Sequence, residues 1–192
     1  IATHNEGKVR ELRKLLKDLP LTVVSLSEKG IQVEVEETEE TFEGNASIKA
    51  KFYGDKVGLL TLAEDSGLEI DALEGWPRVR TKEFASETPD NGFRVIFDRM
   101  KDVPDEMRGA QFTSIIAIYD PVSKQIETVR ASARGAITHE AHGTNGFGQD
   151  PILRYDEGGK TGGEMSVEEK NAVSHRGKAF IKAREILINE FL

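Results

Sequence analysis

From Asn171 to Lys178 the chain reads Asn-Ala-Val-Ser-His-Arg-Gly-Lys, which gathers Ser174, His175 and Arg176 into one short polar stretch. A hydroxyl, an imidazole and a guanidinium in succession can all donate hydrogen bonds to oxo or anionic groups. Four other polar constellations accompany it: Ala2 to Lys8 (ATHNEGK), the acidic run Glu34 to Glu43, Glu64 to Gly67 (EDSG) and Gly146 to Pro151 (GFGQDP). Cations, carboxylates and a glycine-rich loop together describe a site for a metal-bound nucleotide.

Each constellation has a plainer alternative. Thr3-His4-Asn5-Glu6-Gly7-Lys8 reads as a strand-to-helix link. Its first helical amides, with Asn5 and Lys8, suit phosphate oxygens. It is not a Walker loop, because Ala2 stands where the first glycine belongs and Val9 follows Lys8. Gly159-Lys160-Thr161 fails the same test at Arg154. The run from Glu34 to Glu43 holds six glutamates, most of them a solvated charge run. Glu36 or Glu37 can still pair with an acidic residue elsewhere, since Mg²⁺ takes one or two carboxylates plus water and phosphate. Glu64-Asp65 supplies that partner, with a structural cap through Ser66-Gly67 as the competing idea.

The loop Gly143 to Asp150 is no dinucleotide fingerprint, because Pro151 replaces the last glycine of a GxGxxG starting at Gly146. Phe147 suits stacking on a base; the alternative is a hinge loop with Phe147 in the core. His139 and His142 lack metalloprotease spacing, and Ser66 lacks the elbow of a serine hydrolase. Trp76 reads as a core or rim residue.

Hydrophobic periodicity supplies the elements that must position these groups. Ile1 to Thr3 ends a strand, and a helix runs from about Lys8 to Leu19 with Val9, Leu12, Leu15, Leu16 and Leu19 inward, until Pro20 stops it. Leu21 to Leu26 is a β-rich strand. A second helix fits Thr41 to Val57, with Phe42, Ala46, Ala50, Tyr53 and Val57 inward. Asn45 and Lys49 share another stripe one turn apart, so both can point at one ligand. Leu59 to Ala63 is a buried strand that places Glu64 to Gly67 at its C-terminal end, where open α/β sheets bind ligands. Leu68 to Leu73 is a further strand, broken by Gly75-Trp76-Pro77.

Asn91 to Val103 reads as a helix, and Ala110 to Tyr119 with Ile126 to Ile137 as a long hairpin turning at Asp120 to Ser123. Pro151 to Tyr155 is a short strand. Ser166-Val167-Glu168-Glu169 has capping-box spacing and opens a helix reaching Ser174. A last helix, about Gly177 to Phe191, buries Phe180, Ala183, Leu187 and Phe191.

The 192 residues suit one sizeable α/β domain, residues 1–192, or two lobes around a shared core. Cysteine is absent, so any metal sits on oxygen or imidazole, and the composition suits a reducing cytoplasm. No apolar run approaches the roughly 20 residues of a membrane span. With 34 acidic against 26 basic residues the net charge is −8, which argues against a general nucleic-acid binder. A small anionic substrate would need local cations and a metal.

Taken in order, these stretches resemble the inosine triphosphate pyrophosphatase family. The motifs are ATHNEGKVREL (Ala2 to Leu12), TFEGNASIKA (Thr41 to Ala50), EDSGLEIDALEGWP (Glu64 to Pro77), GTNGFGQDPI (Gly143 to Ile152), GGKTGGEMS (Gly158 to Ser166) and EEKNAVSHRGKA (Glu168 to Ala179). The resemblance implies a two-lobed α/β fold around a long mixed sheet, helices on both sides, a central nucleotide cleft and a homodimer. It implies hydrolysis of dITP, ITP or XTP to a monophosphate and pyrophosphate, with Mg²⁺.

Carried over residue by residue, the resemblance makes Thr3, Asn5, Gly7 and Lys8 the phosphate-binding start, with His4 and Glu6 as further substrate-binding candidates in the same stretch, and Lys49 the helix-borne lysine. It makes Glu37 the metal-binding glutamate, with Glu36 in reserve and Glu64 beside them. Asp65 becomes general base and metal ligand, followed by Ser66 in the substrate site. Phe147, Gly148, Gln149 and Asp150 form the base loop, and Lys170, Ser174, His175 and Arg176 complete the nucleotide pocket.

The chain departs from the family pattern at His4, Asn145, Gln149 and Arg78 to Glu83. Gln149 stands in place of an aromatic and is expected to weaken the grip on the base. Two rival readings are a nucleotide-binding regulatory protein without turnover and a pyrophosphatase for modified pyrimidine triphosphates.

Overall fold

The computed structural model describes residues 1–88 and 92–192. By internal contacts the chain forms two compact units. The first comprises Ile1–Asp65, Ile115–Arg130 and Ala179–Leu192, the second Ser66–Ser114 and Ala131–Lys178. The assigned strands make one four-stranded sheet in the order β1 (Thr61–Ile70), β2 (Gly109–Tyr119), β3 (Ile126–Ile137), β4 (Leu153–Tyr155). Strands β3 and β4 are antiparallel, with Gly135 opposite Tyr155 and Ile137 opposite Leu153. The α/β class is as expected. The mixed character is not present among the assigned strands, which form an antiparallel sheet of consecutive neighbours.

In the first unit, helix α1 spans Glu6–Leu15, starting two residues before the expected Lys8 because Asn5 caps it, its side chain accepting from the Gly7 and Lys8 amides. It ends at Leu15, before the expected Leu19, with Leu16 as its C-cap. Val9, Leu12 and Leu16 are buried as the periodicity requires. Ile1–Thr3 and Leu21–Leu26, expected as strands, are not assigned as such; the Ala2 amide donates to the Leu62 carbonyl at 2.7 Å.

Helix α2 (Phe42–Val57) matches its expected span, with Thr41 as N-cap and Gly58 closing it in the left-handed conformation. It buries Phe42, Ala46, Ala50 and Tyr53 on one stripe and Asn45 and Lys49 on another. The glutamate run lies as irregular chain beside it, held by the Tyr53 hydroxyl, which donates to the Val33 carbonyl, and by the Glu39 amide, which donates to Asn45.

The second unit has its own core, in which Leu68, Ile70, Ile96, Met100, Phe112 and Tyr155 are buried together. Helix α3 (Thr81–Ser86) was not expected; it begins within the segment Arg78 to Glu83 that departs from the family pattern. Helix α4 (Phe93–Met100) is shorter than expected at both ends, and the expected start at Asn91 lies outside the described residues. The hairpin β2–β3 agrees with the expectation to within one residue. Helix α5 (Val167–Val173) carries the capping box between Ser166 and Glu169, and helix α6 (His175–Ile186) starts two residues before the expected Gly177.

The largest correction concerns Glu64 to Gly67. Two strands were expected, meeting there, but β1 runs unbroken from Thr61 to Ile70, so the four residues lie mid-strand. Flanking partners supply the pairing that a short apolar run alone does not reveal, and the argument from strand C-termini does not apply to them.

Candidate active site

In the first unit the polar groups converge on the Lys49 ammonium. It donates to Asp65 Oδ1 at 2.9 Å, to the Glu64 carbonyl at 2.8 Å and to Glu37 Oε1 at 3.2 Å. Asn45 donates to the other Asp65 oxygen at 3.4 Å. Helix α2 presents Asn45 and Lys49 one turn apart on the same stripe, so both reach one strand residue. Asp65 is only 7% exposed, and burial raises its carboxyl above the ordinary range, with the pull of Lys49 in the opposite direction not cancelling it. For Lys49, burial works against the charged form, but Asp65 and Glu37 outweigh it and the ammonium is raised. The cluster keeps a cation beside a carboxylate that burial holds above its ordinary range.

Glu64 serves a different partner. Successive side chains of a strand point to opposite faces, and the buried Glu64 carboxylate pairs with Lys8 at 2.8 Å. Its backbone oxygen joins the Lys49 cluster. Glu36 is exposed and takes no part in it, whereas Glu37 does. Among the described residues no group of three or more His, Asp or Glu side chains is arranged for a metal. Two carboxylates nevertheless already converge on one cation, Lys49, and Mg²⁺ needs only one or two together with water and phosphate oxygens. The oxygen donors of Glu37 and Asp65 therefore fit such an ion.

At the start of α1 the amides of Gly7 and Lys8 are engaged by Asn5 Oδ1 at 2.9 and 3.3 Å, and Asn5 in turn donates its own amide to Thr3 Oγ1. A phosphate that uses these amides must displace the Asn5 side chain. His4 and Glu6 are exposed beside it.

In the second unit the buried Asp150 carboxylate takes the Phe147 amide at 2.8 Å and the Lys170 ammonium at 2.5 Å on one oxygen. Gly146 makes this wrapping possible: its φ is +75°, and a Cβ there would lie 2.2 Å from Asp150 Oδ2. Phe147 is not tucked into the core. It is 47% exposed, with the Lys170 ammonium 4.8 Å and the Arg176 guanidinium 5.0 Å from its ring centre. Gly148 follows in the left-handed region.

Gln149, next in the loop, is only 4% exposed.

The Ser-His-Arg stretch is a junction of two helices. Ser174 ends α5 and starts α6, its hydroxyl accepting from the Gly177 amide at 3.1 Å, so it serves as a cap. His175 and Arg176 form the first turn of α6. His175 is buried with its ring stacked on Phe112, and Arg176 reaches Ser66 at 3.5 Å. Gly177 permits the close crossing, since a Cβ there would lie 1.9 Å from the Asn171 carbonyl oxygen. Phe112 is the contact that sequence reasoning missed; strand alternation marks it as inward but carries no sign of what it meets.

A buried lysine–carboxylate cluster and an aromatic–cation cluster are chemically suited to the phosphates and the base of a nucleotide, and the sequence has no cysteine for thiol chemistry. The chain is a member of the Ham1 family, whose pattern it matches over residues 1–186. It is similar to the dITP/XTP pyrophosphatase of Desulforamulus reducens, at 43% identity over 97% of this chain and 94% of that protein. The protein of the same description from Bacillus licheniformis is 40% identical over 97% and 96% of the two chains. Among solved structures, the Staphylococcus aureus Ham1 protein superposes with a TM-score of 0.88 at 29% identity, over 98% of this chain and 97% of that one. The nucleoside-triphosphatase, dITP/XTP pyrophosphatase, from Mycobacterium abscessus gives 0.77 at 37% identity, over 94% and 95%. No described helix is long and apolar enough to cross a membrane.

Proposed function

We propose that this protein hydrolyses non-standard purine nucleoside triphosphates, dITP, ITP or XTP, to the monophosphate and pyrophosphate. The observation that carries the reading is the buried Lys49 ammonium held between Asp65, Glu37 and the Glu64 carbonyl. Asp65, raised by burial, takes the proton of a water as its oxygen bonds to the α-phosphorus, and the bond to the bridging oxygen breaks to release pyrophosphate. Lys49 and Lys8 offset charge that develops on the phosphate oxygens. A bound Mg²⁺, held by Glu37 and Asp65, would polarise the phosphates and orient the leaving group.

Phe147 stacks on the base, with Lys170 and Asp150 fixing the loop that carries it. His175 and Arg176 donate to the 6-oxo group of hypoxanthine or xanthine. Adenine would bring an amino group against the same donors, so its rejection follows from mismatch. Residues 1–192 act as one domain, as a homodimer, in the cytoplasm where the nucleotide pool lies. The names of the relatives support the substrate class, and the retained Asp65–Lys49 pair favours turnover over regulatory binding alone.

A panel of triphosphates with Mg²⁺, scoring pyrophosphate apart from orthophosphate, tests the reading. Expected are monophosphate and pyrophosphate from ITP, dITP or XTP, loss of activity with a chelator and its return with Mg²⁺. Direct release of orthophosphate, or turnover of modified pyrimidine triphosphates alone, would overturn it. Light scattering of the eluting protein checks the dimer.

A further inference from the structure

We infer that Phe112 is a positioning residue for base recognition, holding the His175 ring in the plane from which it reads a purine edge. The inference rests on the assignment of His175 to the base and adds to it a residue of another element. Phe112 lies on β2, and its ring sits 4.8 Å from the His175 ring at an interplanar angle of 22°. Both side chains are buried. The Phe112 ring also lies 6.5 Å from that of Tyr155 on β4, tilted by 38°, and Tyr155 is itself fully buried, so rings from β2, β4 and α6 pack together.

The geometry has a specific consequence. Contact through the ring face fixes the imidazole plane and blocks rotation about its last torsion, while both nitrogens remain at the ring edge, where in-plane hydrogen bonds form. A histidine that distinguishes an oxo from an amino group must keep that plane, because a donor turned out of line loses most of its hydrogen bond. Capping by Ser174 and the close crossing at Gly177 fix the backbone of the first turn of α6, but not this torsion. The Phe112 ring, stacked on the imidazole face, acts on that torsion. The Tyr155 hydroxyl, buried with no hydrogen-bond partner, contributes nothing to the stack, which needs only its ring.

The test uses the whole enzyme and the variants Phe112→Leu, Phe112→Tyr and Tyr155→Phe. Pyrophosphate release from ITP and from ATP gives kcat/KM for each, and thermal melts run alongside. Phe112→Leu should lower the ITP-to-ATP ratio by about three- to tenfold, the scale of one aromatic pair contact, mainly through KM for ITP. Phe112→Tyr, which keeps the ring, should restore most of the ratio, and Tyr155→Phe should leave it within about twofold of the wild type. A purely structural role would lower the melting temperature and depress both substrates equally; that result, or an unchanged ratio, overturns the inference.

A second readout does not depend on turnover. In the nucleotide-free protein the His175 ring protons, assigned with a His175→Gln variant, should be shifted upfield by Phe112 and return toward ordinary values in Phe112→Leu. Absence of that shift also overturns the inference. Wild-type protein that shows the shift but releases no pyrophosphate from ITP would instead overturn the proposed function.

Discussion

Single side chains decide the chemistry at the Lys49 cluster, where burial and charge oppose each other. The Asp65 carboxyl is held above its ordinary range by burial while Lys49 remains a cation beside it. Asp65→Asn keeps the shape and the Asn45 and Lys49 neighbours but cannot accept a proton. It should lower kcat by about 10² or more with nucleotide binding retained within several-fold, since a general base typically contributes 10²–10⁴. Steady-state rates with a separate binding titration check this. Glu37→Gln should raise the Mg²⁺ concentration needed for half-maximal rate, and Glu36→Gln should not, because only Glu37 reaches the cluster. Gln149 is almost fully buried, so Gln149→Tyr inserts volume into its surroundings. The expected outcome is a loss of about 1–3 kcal/mol in stability with no fall in KM for ITP, read from denaturant unfolding and kinetics.

At the level of elements, the parts readable in advance were those with local signals. Helix α2 carries its own periodicity and caps, the hairpin β2–β3 its alternation and turn, and α5 its capping box. Continuous β1 was not legible, because Glu64-Asp65-Ser66-Gly67 has the composition of a turn and is extended only through its neighbouring strand. Much the same holds for the site. Lys49 and Asn45 were legible from their shared helical stripe, and Asp65 from a carboxylate pair that packing does not require. That Asp65 and Glu64 would face different lysines depends on the pleat, hence on knowing the strand. The Ser174 junction shows the reverse case, where a motif that reads as chemistry also builds structure. Ser174→Ala should cost about 0.5–2 kcal/mol as a lost helix cap. Gly177→Ala should destabilise at least as much, because its Cβ would overlap the Asn171 carbonyl oxygen, and should raise KM for ITP by moving the first turn of α6. Thermal melts and ITP kinetics on both variants check these expectations; a normal Gly177→Ala protein would show that the crossing of α5 and α6 is not tight.

Over the whole molecule the two compact units are not separate beads on a chain. The backbone passes between them within β1 at Asp65–Ser66, within β2 at Ser114–Ile115, within β3 at Arg130–Ala131 and within α6 at Lys178–Ala179. None of these crossings is a linker, although independent domains are usually joined by exposed, poorly contacted segments. When one unit melts, the strands and helix that continue into the other are cut short, and short strands and helices are marginal alone. The two units should therefore unfold together. In a thermal or urea titration, far-UV circular dichroism reports helices of both units, whereas the single tryptophan, Trp76, reports only the second. Coincident transitions with one midpoint are expected, and addition of Mg²⁺ with inosine monophosphate should move both signals upward together by mass action. A fluorescence transition displaced from the dichroism transition would mean that the second unit unfolds on its own and that continuity of the backbone through the strands does not couple the two.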